Sequence, residues 1–170
     1  KILRNPYALN PIDDHIGKDK PDLRRVIFDK ECQSWIGPFL MASINTKIVR
    51  RSNSLSGYAY GKDFRYDEAT MFGKGFSGRI KGLLNFIAIG IITLAKPGSL
   101  LKRGLDFLLP KPGEGPTNQK MKRGHYNLKF YITLRNESSA YAEVKGDMDP
   151  GYGSTSKMIA ECAVCLAKDK

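Results

Sequence analysis

Arg50 and Arg51 are the strongest chemistry-bearing pair in the chain. They stand in the block N-T-K-I-V-R-R-S-N, residues 45–53. A guanidinium is planar and presents its N–H donors as a fixed fork, which fits a carboxylate or a phosphate. Ser52 and Asn53 follow directly, and Asn45 and Thr46 could add neutral hydrogen bonds to the same ligand. A salt bridge between domains would use the same residues.

Other reactive residues are thinly spread. Gly73, Gly75 and Gly78 spell G-K-G-F-S-G, a formal match to the dinucleotide fingerprint G-x-G-x-x-G. That site needs a preceding strand, a following helix and an acid about 20 positions on. No Asp or Glu falls within residues 88–102, so a glycine-rich linker is the plainer reading. Glu114 sits between two glycines in P-G-E-G-P, where a turn residue is more expected than a general acid. His15 and His125 are the only histidines, and neither has an acid or nucleophile at catalytic spacing. Cys162 and Cys165 form a single Cys-x-x-Cys inside an alanine-rich helical pattern. With no second pair to complete a zinc site, they read as small core residues. Three cysteines without regular spacing argue against a disulfide framework.

The charge is uneven. The 170 residues carry a net +11. Residues 1–73 hold 12 basic and 9 acidic side chains, residues 74–135 hold 12 and 2, and residues 136–170 hold 4 and 6. The excess sits in the middle third and suits a polyanionic partner. Nucleic acid is disfavoured, because these cations interleave with leucine and isoleucine and few aromatics are available for base stacking. The stretch 79–111 instead has the make-up of an interfacial anchor. Phe86, Ile87 and Ile91 would enter the acyl boundary while Arg79, Lys81, Lys96, Lys102, Arg103 and Lys111 meet anionic headgroups. A hairpin folded onto a sheet, its lysines merely solvated, is the alternative.

The elements that position these groups follow from periodicity. Residues 1–30 are irregular around Pro6, Pro11 and Pro21, with a short strand at 25–29. No continuous apolar core opens the chain as a signal peptide would. Ile44, Ile48 and Leu55 are spaced for one helix face, with Arg50 and Arg51 off it. Tyr58, Tyr60, Phe64 and Tyr66 predict a strand across 57–68, broken at Gly61. Residues 73–82 predict a flexible basic connector. Residues 83–94 form the most apolar run, too short to cross a bilayer. A turn at Pro97 and Gly98 leads to an amphipathic helix over 99–109. Residues 126–134 and 140–146 predict a hairpin with its turn at 136–139. Ser154 or Thr155 would cap a final helix. Its apolar stripe is Met158, Ile159, Cys162, Cys165 and Leu166.

Three blocks in one order then fit a known pattern: residues 35–55 (WIGPFLMASINTKIVRRSNSL), 110–116 (PKPGEGP) and 149–167 (DPGYGSTSKMIAECAVCLA). Together they resemble the C-terminal half of the saccharopine dehydrogenase-like oxidoreductases, which include the trans-acting enoyl reductases. The likeness runs from N-P-Y-A-L-N-P at residues 5–11 to Ala167. It implies that residues 1–170 are one α+β domain on the substrate side, an antiparallel sheet with packed helices and a basic apolar helical hairpin at 79–111. It tips residues 47–54 to helix and places the arginine block at an interdomain cleft. The family holds NAD(P) in an N-terminal Rossmann domain, of which this chain shows no βαβ unit; by itself it would carry no cofactor. The implied partners are a missing Rossmann domain or a protein replacing it, and a membrane or lipid surface. Relatives in animals and plants are associated with membranes, mitochondria or lipid droplets. Two expectations stand side by side: the C-terminal domain of an NAD(P)-dependent, membrane-associated oxidoreductase inactive without its nucleotide half, or a non-enzymatic subunit of a membrane-bound assembly, mitochondrial or otherwise.

Overall fold

The computed structural model describes residues 5–11, 17–111 and 113–169. The α+β class holds, built from two small antiparallel sheets and five helices. The chain divides into two compact units, Lys1–Leu101 and Lys102–Lys170.

In the first unit, β1 (Ile27–Asp29), β2 (Ser34–Pro38) and β3 (Ala69–Gly73) form a sheet in that order. Ile27 pairs with Ile36 and Trp35 with Gly73, and a register shift lies between Trp35 and Ile36. Phe28 meets Trp35 edge-on at 5.7 Å. Between β2 and β3 lie α1 (Ala42–Leu55) and an irregular loop. After β3 comes α2 (Gly75–Leu94), and α3 (Leu100–Leu108) carries the chain onward. The second unit adds α4 (Asn118–Arg123), the ribbon β4 (Tyr126–Thr133) with β5 (Ser139–Gly146), and α5 (Gly153–Lys168).

α1 is inside out. Its buried residues are Ala42, Thr46, Lys47, Arg50 and Asn53. Ile44, Ile48 and Leu55, the expected inner face, are exposed, Ile48 at 53%. The helix to which the resemblance tipped residues 47–54 is present, and the face of Ile44, Ile48 and Leu55 is its outer one. The reason is chemical: the irregular segments against α1 offer carboxylates and carbonyls, which only polar side chains can satisfy.

The aromatic stretch 57–68 is not a strand. It is turn and loop, with Tyr58 at φ +63° after Gly57 at φ +67°. Its rings stack along the chain instead, Tyr60 on Phe64 at 5.3 Å and Phe64 on Tyr66 at 6.2 Å.

The glycine-rich connector is also corrected. Residues 75–82 are the first half of α2, so that helix has 20 residues and is long and apolar enough to cross a bilayer by length and composition alone. The apolar run read as too short was only its second half. The glycines serve packing. A Cβ at Gly78 would overlap the Gly73 carbonyl oxygen, and one at Gly82 would lie 2.7 Å from a Val26 methyl. One turn on, Asn85 Nδ2 donates to the Pro38 carbonyl at 2.9 Å. Gly78, Gly82 and Asn85 thus form the stripe that seats α2 on β2 and β3.

The hairpin stands as expected, with Tyr126 opposite Gly146 and Thr133 opposite Ser139. The final helix stands too, but Ser154 and Thr155 do not cap it. Asp149 does: its Oδ2 accepts from the amides of Tyr152 at 2.7 Å and Gly153 at 2.9 Å. Those amides hold its carboxyl below the usual range. The stripe on α5 is open to solvent, Cys162 and Cys165 included, which corrects their reading as core residues. Ala42 and Pro38 are the fully buried apolar side chains among the described residues.

Gly78→Ala should unseat α2 and lower the unfolding free energy. Gly90→Ala, where nothing lies within 4 Å, should stabilise by about 0.5–1 kcal/mol through helix propensity. Urea denaturation followed by circular dichroism would read both. Equal effects would disprove the seating role of Gly78.

Candidate functional site

Arg50 is 4% exposed and points into the first unit. Its Nε donates to Asp19 Oδ2 at 2.7 Å, forming an ion pair in which both side chains are 97% buried. Its NH1 donates to the Pro6 carbonyl at 3.3 Å and its NH2 to the Tyr66 carbonyl at 2.8 Å. The guanidinium also lies 5.9 Å from the Tyr7 ring centroid. Asp19 is equally occupied. It accepts from the Tyr66 amide at 3.0 Å and the Tyr7 hydroxyl at 3.2 Å.

The neighbouring candidates extend this knot. Thr46 Oγ1 donates to Asp22 Oδ1 at 3.0 Å. Asn45 Nδ2 donates to Glu68 Oε2 at 3.0 Å, while the Tyr66 hydroxyl takes Glu68 Oε1 at 2.9 Å. Asn53 donates to the Gly61 carbonyl and accepts from the Tyr60 amide. Arg51 is exposed and donates to the Leu9 carbonyl. The four candidates from the sequence therefore lie together on α1, each engaged with a loop of this chain. Lys47, also buried, donates to the Ser43 carbonyl.

Asp19, Asp22, Tyr7, Tyr66 and Glu68 were missed by motif reasoning. They lie on irregular segments, and the alternation that included Tyr66 pointed to a strand and not to a site. A recess beside Arg50, lined by Tyr7, Asn10, Asn53, Tyr58 and Phe64 among others, admits about one water. It is too small for an organic substrate.

The G-K-G-F-S-G turn has the strand-then-helix setting the fingerprint requires, since β3 leads into α2. Gly73 and Gly75 take φ of +87° and +70°, a region glycine enters freely. The remaining requirements fail. All described strand pairs are antiparallel, so no βαβ crossover exists here, and the acid is missing. These residues do not fit a nicotinamide dinucleotide; positive φ accounts for Gly73 and Gly75, and close packing against the Gly73 carbonyl for Gly78.

The other candidates are scattered. Glu114 accepts from the Lys111 amide at 2.9 Å, closing its own loop. His125 is exposed at the start of β4, and His15 and Pro112 lie outside the described residues. Among the described residues no three of His, Cys, Asp or Glu gather to hold a metal.

The stretch 79–111 keeps its cations outside. Arg79 is exposed and stacks 5.5 Å from the Trp35 ring. Lys81, Lys96 and Arg103 are exposed, and Lys102 pairs with Asp106 one turn on. Phe86, Ile87 and Ile91 are exposed as well.

With this geometry in view, comparison with known proteins is informative. A Mycobacterium tuberculosis protein provisionally named a trans-acting enoyl reductase is 35% identical over 99% of this chain. Trans-acting enoyl reductases of Mycobacterium bovis and Mycobacterium ulcerans are 32% and 38% identical over 100% and 80% of it. The chain's homologues are named trans-acting enoyl reductases. It spans only 42%, 43% and 33% of their respective lengths. The expectation of a half-chain likeness to enoyl reductases is met; the broader saccharopine dehydrogenase-like label is not shown. No family model matches the chain. No solved structure matches it.

Truncating Arg50 strands a buried carboxylate and two carbonyls. Arg50→Ala should cost about 3–5 kcal/mol in unfolding free energy, with Arg50→Lys between the two. A loss below about 1 kcal/mol in urea titration would refute the clamp.

Burial, with the Glu68 carboxylate close by, pushes the Tyr66 phenol up to about 12. A raised folded pKa means the contribution is full below the unfolded value of about 10 and is lost as pH rises through 12. Tyr66→Phe keeps the backbone bonds to Arg50 and Asp19. It should remove this share of the alkaline loss of stability. Identical stability–pH curves for both proteins between pH 10 and 12 would count against it.

Proposed function

We propose that this chain is the substrate-side portion of an NAD(P)-dependent oxidoreductase that reduces an enoyl group, working at a membrane or lipid surface. One observation carries the reading: the match covers the whole chain but less than half of each enoyl reductase relative. The nicotinamide cofactor would be held by the portion of such proteins that this chain does not span. Cofactors supply the hydride, and the protein supplies binding and orientation. The residues present here suit orientation. The Arg50 knot fixes α1, and the exposed apolar faces of α1 and α5 offer broad surfaces for a covering domain and an acyl chain.

The membrane part of the reading rests on α2 and the cations around it. α2 has no acidic residue, and its apolar side chains point outward.

The test is direct. The 170-residue chain alone should neither bind NADPH nor oxidise it in the presence of a 2-enoyl thioester. Steady turnover by this chain alone would overturn the division of labour. The intact mass of the native protein separates the alternatives. A mass more than twice the 19.0 kDa of this chain fits the oxidoreductase, whereas 19.0 kDa itself would favour a non-enzymatic subunit.

A further inference from the structure

We propose that α2 lies along an anionic bilayer surface and does not pass through it. The inference rests on the membrane reading above and adds orientation, depth and lipid charge to it.

The seat of α2 fixes its roll. Gly78, Gly82 and Asn85 face the sheet. At 100° per residue, Phe76, Ile80, Leu84, Ile87, Ile91 and Leu94 fall on the opposite side. All six are exposed, Phe76 at 75% and Leu94 at 71%. They run the whole helix, so the free face is a continuous apolar stripe. Arg79 and Lys81 lie on its two flanks, at the level of the headgroup layer, with Arg79 held over the Trp35 ring on its side.

Crossing is excluded by the same seat. A helix of 20 residues would place its full ~30 Å in hydrocarbon. The sheet would be drawn in beside it. β1 and β3 are the edges of that sheet, and their unpaired backbone groups find no partner in hydrocarbon. Lying flat, α2 buries its stripe and leaves the sheet in water.

Charge complementarity selects the lipid. Residues 69–105 contain six cations, Lys74, Arg79, Lys81, Lys96, Lys102 and Arg103, and no carboxylate. Such a field is drawn to anionic headgroups.

The test uses the full chain, with its three cysteines replaced by serine and single nitroxide labels placed along residues 79–94. Flotation would be run with phosphatidylcholine vesicles with and without phosphatidylglycerol. Co-flotation should require the anionic lipid. Label depth should oscillate with a helical period, deepest at 84, 87, 91 and 94. Ile87→Asp should weaken co-flotation by on the order of tenfold or more, with Trp35 fluorescence unchanged.

Absence of flotation with either vesicle would remove the membrane reading and this inference together. Flotation with one depth maximum near mid-helix would keep the membrane and overturn the flat orientation. Equal flotation on neutral vesicles would overturn the role of charge. Spin–spin broadening between copies without vesicles, and no depth signal with them, would assign the face to a second copy and overturn the proposal.

Discussion

The buried ion pair of Arg50 with Asp19 is the constraint on which the first unit depends. Taking both charges out of water is costly unless geometry and further hydrogen bonds compensate. Here three guanidinium nitrogens each find an acceptor, and the carboxylate accepts from a hydroxyl and an amide. The acceptors come from residues near 6, 19 and 66. One side chain therefore ties together segments that have no regular structure and could not hold position through a ladder of their own. Loop closure entropy makes such long-range ties expensive, and a many-armed clamp spreads that cost over several bonds.

This constraint explains the inverted helix. A helix facing carboxylates must turn its donors inward, and its apolar residues then face out by geometry alone. Thr46 and Asn53 repeat the arrangement one turn either side of Arg50, each holding a loop by its side chain. The result is a first unit ordered by directional bonds, with little apolar burial behind them. Directional bonds specify a unique arrangement but contribute modestly to net stability.

Sequence pattern was most legible where local geometry decides the outcome. The ribbon of β4 and β5 followed from strict alternation around a polar turn, and α5 from helical spacing. It failed where long-range contact decides. Aromatic alternation over 57–68 looked like a strand because both patterns have period two, yet Gly57, Tyr58 and Gly61 all take positive φ. Gly78 and Gly82 looked like part of a linker because composition cannot distinguish freedom from close approach. Cap chemistry slipped by several residues because Asp149 reaches forward across a Pro-Gly turn. The arginine block was found, but its partners were not, since an aspartate thirty-one residues away leaves no trace in spacing.

The second unit carries regular apolar surface of its own. In the register of the ribbon, Tyr126, Leu128, Phe130 and Ile132 stand opposite Gly146, Val144, Ala142 and Ala140 on one face. The other face pairs Asn127 with Lys145 and Lys129 with Glu143. A two-stranded ribbon is marginal in water unless its apolar face is covered. Leu128, Ile132 and Val144 are exposed, as are Met158, Ile159 and Leu166 on α5. Patterns this regular arise when a face is kept for a partner, because solvated faces carry no pressure toward alternation. Under the proposed reading that partner is the nucleotide-holding portion found in the longer relatives. α2 differs in being rimmed by cations and free of carboxylates, while β5 and α5 carry the acids Glu143 and Glu161 among their polar residues. A basic rim suits headgroups and a mixed one suits protein. Under the proposed reading, charge alone separates a lipid-facing surface from a domain-facing one.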